Sequence, residues 1–595
     1  MTPSRHLPLR ALLPLLCCAA LAACSVQTNG SATANVPATY SHVYVTVQQV
    51  WFNTNASTNP ADSGWQKFTF STPYTLDLVQ LTNGALGQFA SNLNLAPNTY
   101  SEMRLLLTDR TATLAASAQT AGALYNDEVD YTDSSGNLHQ VPLEIPNAAQ
   151  GIGVPITLTV AVNDNASQGL GSFFSSSSSS SSDSSSSDLF GTNTSSSSSS
   201  SSSTCSSVSS SSTLGTAGAS TGCSGFATTN IENAAVYFDA SRDLVAFNAS
   251  GTAGFLLNPH PSGYDLNYVG TIQGQVDLSS LTTTSGTEYE VTAEGVSADG
   301  THHVVVASAP LTSSGSFVLY PLSTEAGAPS SYDLVIHGPD LTTTIIKSVP
   351  VQSGSPSTAS SVTWTGVTLE AASSFSVNLA TGSAVKYAGT SVGFYQTLPI
   401  SGEIPYLIET YPIDPITGTY DTAPSLSAGG LQYGTYDDGS VTLSSATPSE
   451  GTASYKVSGS SAIYGDGPFT TTVAAPSAAS TTATFSVAAF GIPSGSSAGT
   501  VSGTLSVVSP GKYNEGMLIL TQNGAIVSAA SISAYLSAAS SSETWLSNVP
   551  TGHVYYAEVW VWNSSDPSST FSRQPYSGPI DLTSGSVTGL TLSVD

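Results

Sequence analysis

Apolar and polar positions alternate with a period of two through nearly the whole chain. Val43, Val45 and Val47 alternate with Tyr44, Thr46 and Gln48, and Met103, Leu105 and Leu107 repeat the signal. Near the C-terminus Val554, Tyr556 and Glu558 alternate with Tyr555, Ala557 and Val559, and Trp560 and Trp562 continue one face. Residues two apart share a face of a pleated strand, so each segment predicts a half-buried strand. Turn signals recur between them, at Asp299-Gly300, Asp438-Gly439, Asp466-Gly467 and Asn523-Gly524. These dipeptides supply the positive φ that tight hairpins require. No segment sustains a helical stripe. Many short strands with regular turns predict an all-β chain of tandem β-sandwiches.

The alternation breaks once. From Asn165 to Phe226 the chain is nearly all serine, with Asp183, Asp188 and a few glycines. It lacks the apolar side chains that offset ordering entropy, which predicts a disordered insert over 165–226. Strand patterning resumes at Ala234-Ala235-Val236-Tyr237-Phe238, so the insert interrupts a domain rather than joining two. A surface loop tolerates this because closure cost grows only logarithmically with length.

Further on, a unit of about 100 residues, a typical sandwich size, occurs twice. Gly270-Thr271-Ile272-Gln273-Gly274-Gln275-Val276 opens one copy and Gly499-Thr500-Val501-Ser502-Gly503-Thr504-Leu505 the other. Each leads to a leucine-proline corner, at Leu319-Tyr320-Pro321 and Leu546-Ser547-Asn548-Val549-Pro550, and then to a tyrosine-bearing strand at Tyr332 or Tyr555. Glycine at alternate positions of the opening strand predicts close backbone approach or a bulge. The two copies resemble the carboxypeptidase-regulatory-like, transthyretin-type β-sandwich, and that resemblance implies a structural or binding role. The first copy departs from the corner pattern, with Ser323-Thr324-Glu325 and extra residues before Tyr332.

A second resemblance lies upstream. Trp65, Leu76-Asp77-Leu78, Leu81-Thr82-Asn83-Gly84, Leu95-Ala96-Pro97-Asn98-Thr99-Tyr100 and Met103-Arg104-Leu105 follow one another. Ile145-Pro146, Gln150-Gly151-Ile152, Phe238-Asp239-Ala240-Ser241-Arg242 and Phe255-Leu256-Leu257-Asn258-Pro259 complete the series. In that order they resemble the uncharacterised lipoprotein family called domain of unknown function 4382. The resemblance implies a lipoprotein and brings no known activity.

The N-terminus itself points the same way. Arg5 and Arg10 are the only charges before a Leu/Ala-rich run, Ala11 to Leu21, that ends in Leu21-Ala22-Ala23-Cys24. An apolar stretch of roughly 10 residues is too short to span a bilayer and reads as a signal peptide over residues 1–23. The small residues before Cys24 form a lipobox, so Cys24 is expected to carry lipid. Ser25 after it resembles the outer-membrane sorting pattern, and residues 24–38 read as a tether. The expected order is then a lipoprotein domain over 39–265 and a regulatory-like sandwich over 268–370. A β-rich domain of unclear type at 371–497 and a second regulatory-like sandwich at 498–595 follow.

Composition narrows the function classes. With 39 acidic and 11 basic residues the chain carries −28, and loss of Arg5 and Arg10 with the signal peptide leaves 9 − 39 = −30. Such a chain repels phosphate backbones, which excludes nucleic acid as a partner. Beyond Cys24, the exported part holds Cys205 and Cys223, both in the serine-rich insert. In an oxidising compartment they form a candidate disulfide, worth ~3 kcal/mol.

Chemistry-bearing motifs are sparse. Ser391 and Ser497 each sit in a G-x-S-x-G match, but neither has the strand-elbow-helix context of a nucleophile. Ser383-Ala384-Val385-Lys386 matches S-x-x-K without its companion elements. The histidines are scattered; His302 and His303 face opposite sides of a strand and read as solvent-exposed turn neighbours. Asp437, Asp438 and Asp466 read as turn residues, so no metal site and no cofactor are expected. Trp560 and Trp562 share one face and could stack on a sugar, although core packing also explains them.

The leading expectation is a non-enzymatic, lipid-anchored envelope protein, held by the membrane and binding a glycan or protein ligand. Two alternatives remain. One is a carbohydrate- or ester-cleaving enzyme using Glu403, Glu409, Asp414 or Asp421 with Tyr406 and Tyr411, which requires carboxylates about 5–10 Å apart across one cleft. The other is a structural spacer.

Overall fold

The computed structural model describes residues 26–161 and 231–595, apart from positions 38, 58, 111, 134, 250–251, 282–288, 360–361, 381–388, 421–422, 447–452, 462, 470, 477–480, 488–489 and 566–570. The signal peptide, Cys24, the insert with Cys205 and Cys223, Ser383-Lys386 and Asp421 lie outside the described residues. What is described is all-β, with sandwich after sandwich and only short helical turns.

The first sandwich has two sheets around one core. One orders Ser262–Asp265, Ile231–Asp239, Val26–Asn35 and Gly87–Leu95. The other includes Leu244–Ala249, Thr252–Leu257, Tyr40–Asn53, Asn98–Leu107 and Ile152–Val160. Strands on either side of residues 162–230 thus belong to the same sandwich. The tether expected over 24–38 is corrected here, because Val26–Asn35 is a strand paired on both sides. It runs antiparallel to Gly87–Leu95 and parallel to Ile231–Asp239, and Ala32 and Ala34 sit in the core.

Val43, Val45 and Val47 point into that core, but the strand is buried on both faces rather than one. Tyr44 packs on the helix Ala116–Ala121 together with Ala118, and the Thr46 amide donates to Asp127 Oδ1 at 2.8 Å.

The two repeat copies share one connectivity. Val269–Asp277 pairs antiparallel with Ser316–Ser323 and parallel with Val362–Thr368, while Glu290–Val296 lies between His303–Pro310 and Ser331–His337. Correspondingly, Ala498–Val507 pairs antiparallel with Ser540–Pro550 and parallel with Val587–Val594, and Glu515–Gln522 lies between Ala525–Ser531 and Val554–Trp562. The opening glycines allow close approach. A Cβ on Gly274 would lie 2.2 Å from Trp364 Nε1, and one on Gly503 would lie 2.1 Å from the Leu590 carbonyl oxygen.

The segment of unclear type, 371–497, repeats this connectivity. Ser374–Leu379 pairs antiparallel with Ser425–Ser427 and parallel with Thr482–Phe485, and Thr390–Gln396 lies between Tyr406–Pro412 and Ser454–Ser461. It departs in one respect. Leu431–Asp437 leaves this sandwich and pairs parallel with Thr343–Pro350, extending the sheet of the preceding one across the expected boundary at 370.

The turn dipeptides at 299–300, 438–439 and 523–524 carry positive φ at Gly300, Asp438, Gly439, Asn523 and Gly524. At the fourth, the positive φ falls on Gly465, because Gly465–Asp466 is already strand, so the turn comes before Asp466-Gly467.

The last sandwich packs on the first. Tyr555, Ala557, Val559 and Val561 fill its own core, while Trp560 and Trp562 meet Val245, Phe247 and Leu256 of the first. Beside this apolar seam Arg573 donates to Glu144 at 2.6 Å, to Glu558 at 2.9 and 3.2 Å, and to the Ile145 carbonyl at 2.7 Å. Burial opposes the charge on Arg573, but Glu558 and Glu144 outweigh it and raise the guanidinium pKa. Arg104 adds bonds to Glu102 at 3.0 Å and Asn523 at 2.9 Å.

Candidate ligand-binding cleft

The chemistry gathers where three sandwiches meet. On paired strands of the second, Glu290 lies opposite His337 and Glu294 opposite Asp333. Period two sends Val291, Ala293, Leu334 and Ile336 to the core. Glu290, Thr292, Glu294, Asp333, Val335 and His337 therefore share the outer face, composed as if for water. The structure covers it with the next sandwich. His337 Nδ1 lies 2.9 Å from Glu409 Oε1, the Tyr406 hydroxyl donates to Asp333 at 2.7 Å, and Lys347 pairs with Glu403. Val335 and Ile345, on the same face, enter the third sandwich's core.

The first sandwich closes a further side. Tyr237 and Ser308 hydroxyls lie 2.8 Å apart, and Ser308 donates to Asp239 at 3.1 Å. The Asn35 amide nitrogen donates both to Asp239 Oδ1 at 3.2 Å and to Glu290 Oε1 at 3.0 Å. Between these elements is a half-enclosed cleft of about 150 Å³, whose lining includes Asp239, Arg242, Glu290, His337, Glu409 and Asp466.

Its electrostatics follow from burial among like charges. Burial first, then Asp239 and Glu409, push the Glu290 carboxyl up to about 8 against the pull of His337. Burial likewise raises Glu294 to about 8. Burial alone would lower the His337 pKa, but Glu409, Glu290 and Glu294 together raise it to about 9. The imidazolium so favoured has Nδ1 on Glu409, while its buried Nε2 has no hydrogen-bond partner.

A wider depression of about 360 Å³ near Tyr264 and Tyr268 also contains Asp265, whose Oδ1 caps the turn at Asn267 while its buried Oδ2 has no hydrogen-bond partner. Among the described residues no group of three or more His, Cys, Asp or Glu is arranged to hold a metal ion.

The structure distributes the residues singled out from sequence. Trp560 and Trp562 do share a face, but it is buried against Phe247 and Phe571, so the stacking platform is corrected to an inter-sandwich seam. His302 and His303 are buried rather than exposed. His302 Nε2 lies 2.9 Å from Asp466, and His303 packs on the Tyr406 ring with its pKa lowered by burial to about 4. Ser391 is the second residue of the strand Thr390–Gln396 with its hydroxyl 2.7 Å from that of Ser460, and Ser497 is in the connection before Ala498–Val507. Glu403, Glu409 and Asp414 do not converge. The first two pair with Lys347 and His337, while Asp414 closes its own turn at Ile416 and Thr417. Tyr406 and Tyr411 bond to Asp333 and the Ser425 carbonyl.

Sequence reading missed Asp239, Glu290 and His337 as a group. Only the isolated Val335 between Asp333 and His337 signals that this polar face is covered.

Comparison with known proteins finds that the family described as Domain of unknown function (DUF4382) matches residues 33–172, which overlap the first sandwich and fall short of half the chain. Among solved structures the chain is similar to "The Bacillus anthracis TIE protein" at 8% identity. The alignment covers 96% of this chain and 73% of that one with a TM-score of 0.14, a value that carries no argument about fold or function. No curated protein matches.

Proposed function

We propose that the chain is a lipid-anchored cell-envelope protein that acts by binding a ligand, with its site in the cleft shared by the first three sandwiches. One observation carries this reading: His337, whose buried Nε2 lacks a hydrogen-bond partner, is among the residues that line an open cleft. Buried polar atoms are almost always satisfied, so an unmatched donor at a cleft supports a bound group. The lipobox Leu21-Ala22-Ala23-Cys24 supports the anchor, and Ser25 supports outer-membrane sorting. The regulatory-like modules serve as scaffold.

The anchor also sets the height of the site. With Val26 already in a strand, Ser25 alone separates the lipid from the folded body. That strand has 10 residues and ends at Asn35, whose amide reaches Asp239 and Glu290. At ~3.3 Å per residue the strand spans ~30 Å, which sets about the farthest the cleft can lie from the anchor along this path.

The hydrolytic alternative loses support because Glu403, Glu409 and Asp414 are occupied separately. Palmitate labelling in growing cells tests the anchor: wild type incorporates label and stays with membranes, and Cys24→Ala does neither. Equal labelling of the two would overturn it. Turnover of a glycan, ester or peptide panel by the purified chain, abolished by Glu409→Gln, would replace binding with catalysis.

A further inference from the structure

We propose that the cleft takes a single uncharged, polyhydroxylated ring, a monosaccharide-sized sugar; this inference deepens the binding reading above and rests on it. Size sets the first limit. About 150 Å³ accommodates one sugar ring and leaves no room for an oligosaccharide to enter whole.

Charge sets the second. The charges of the lining are already paired within the protein, Arg242 with Asp243, His337 with Glu409 and Asp466 with His302, so a charged ligand would arrive unmatched or would break one of these pairs. Burial magnifies both costs because the local dielectric is low. A neutral ligand avoids both.

The donor and acceptor pattern sets the third. The buried His337 Nε2 has no hydrogen-bond partner. Asp239 accepts from Asn35, Ser241 and Ser308, and the Glu290 carboxyl, which burial keeps protonated up to about pH 8, accepts from Asn35 and can also donate. Ser241 and Ser460 add hydroxyls. Such a wall both donates and accepts at short spacing, which matches vicinal hydroxyl groups, each able to do both. An apolar ligand would leave these buried groups unpaired, which a binding site does not tolerate cheaply.

The test uses the full chain in detergent, titrated by calorimetry and observed by saturation-transfer NMR. The probes are glucose, galactose, mannose, fucose and N-acetylglucosamine, with ethylammonium and acetate as charged controls. The expected result is saturable binding of at least one sugar and of neither control. His337→Gln should weaken it about tenfold, the scale of one hydrogen bond to a charged group. Thr410→Phe, at a half-buried position of the lining, should block the cleft and abolish binding with the melting temperature retained; it keeps the test valid if the histidine variant misfolds. Sugar binding unaffected by Thr410→Phe would overturn the site. Binding of ethylammonium or acetate alone would overturn the ligand class while leaving a binding cleft in place. Silence from every probe would overturn the sugar and count against the binding reading as well.

Discussion

Replacing Arg573 with methionine should detach the last sandwich from the first. The side chain donates four hydrogen bonds to Glu144, Glu558 and the Ile145 carbonyl, and all three side chains are more than nine-tenths buried. Removing one partner of a buried ion pair typically costs about 3–5 kcal/mol, because the other charge is left without compensation. Here neither carboxylate is wholly abandoned. Glu144 keeps Arg110 at 2.6 Å, and Glu558 keeps the Asn147 amide at 3.1 Å. The lower end, about 3 kcal/mol, is therefore expected. Equilibrium unfolding in urea, followed by tryptophan emission, reads this out, because Trp560 and Trp562 lie in the seam that opens. Adding Glu558→Gln and Glu144→Gln should recover part of the loss by removing the stranded charges. A loss under about 1 kcal/mol, the range of exposed pairs, would refute the claim that this cluster holds the two sandwiches together.

Trp560→Ala should cost about 3–5 kcal/mol in the same assay, since Trp560 is fully buried between Phe247 and Phe571; a neutral result would mean the seam is open in solution. Gly503→Ala should lower the melting temperature through a backbone clash that no rotamer relieves, with overpacking costing about 1–3 kcal/mol; an unchanged melting curve would contradict the close approach of Leu590. Stability should also fall between pH 4.5 and 9. His337 is raised from 6.5 to about 9, and Glu290 and Glu294 from 4.5 to about 8, so the folded state binds more protons and loses stability as they leave. Glu290→Gln with Glu294→Gln should reduce the pH dependence of the melting temperature across that window, leaving the part that Glu409 imposes through His337; a wild-type melting temperature that does not change with pH would refute the assignment.

Much of this fold is legible in the sequence because strand period and turn chemistry are local. Val43, Val45 and Val47, the Gly-x-x-x-Gly openings at 270 and 499, and Asn523-Gly524 all announce their elements. What escapes is whatever depends on distant partners. Alternation marks one face of a strand as apolar but is silent on whether another sandwich covers the other, as it does at Glu558, Arg104 and His337. Val26–Asn35 escapes because threonine, alanine and glycine give the alternation almost no amplitude. The third sandwich escapes because Ser374-Phe375-Ser376-Val377-Asn378-Leu379 opens it without the paired glycines. The cleft draws on residues from Asp239 to Asp466, a separation across which no local pattern reports.

Everything proposed about the cleft requires the second and third sandwiches to dock through their charged faces. Zero-length carbodiimide coupling on the purified full chain, followed by peptide mass spectrometry, tests this most directly. Lys347 and Glu403 form a half-exposed ion pair across that junction. An amide link between these two residues is the predicted product. Failure of Lys347 to couple to Glu403, while other amines on the same chain react, would contradict the docked arrangement.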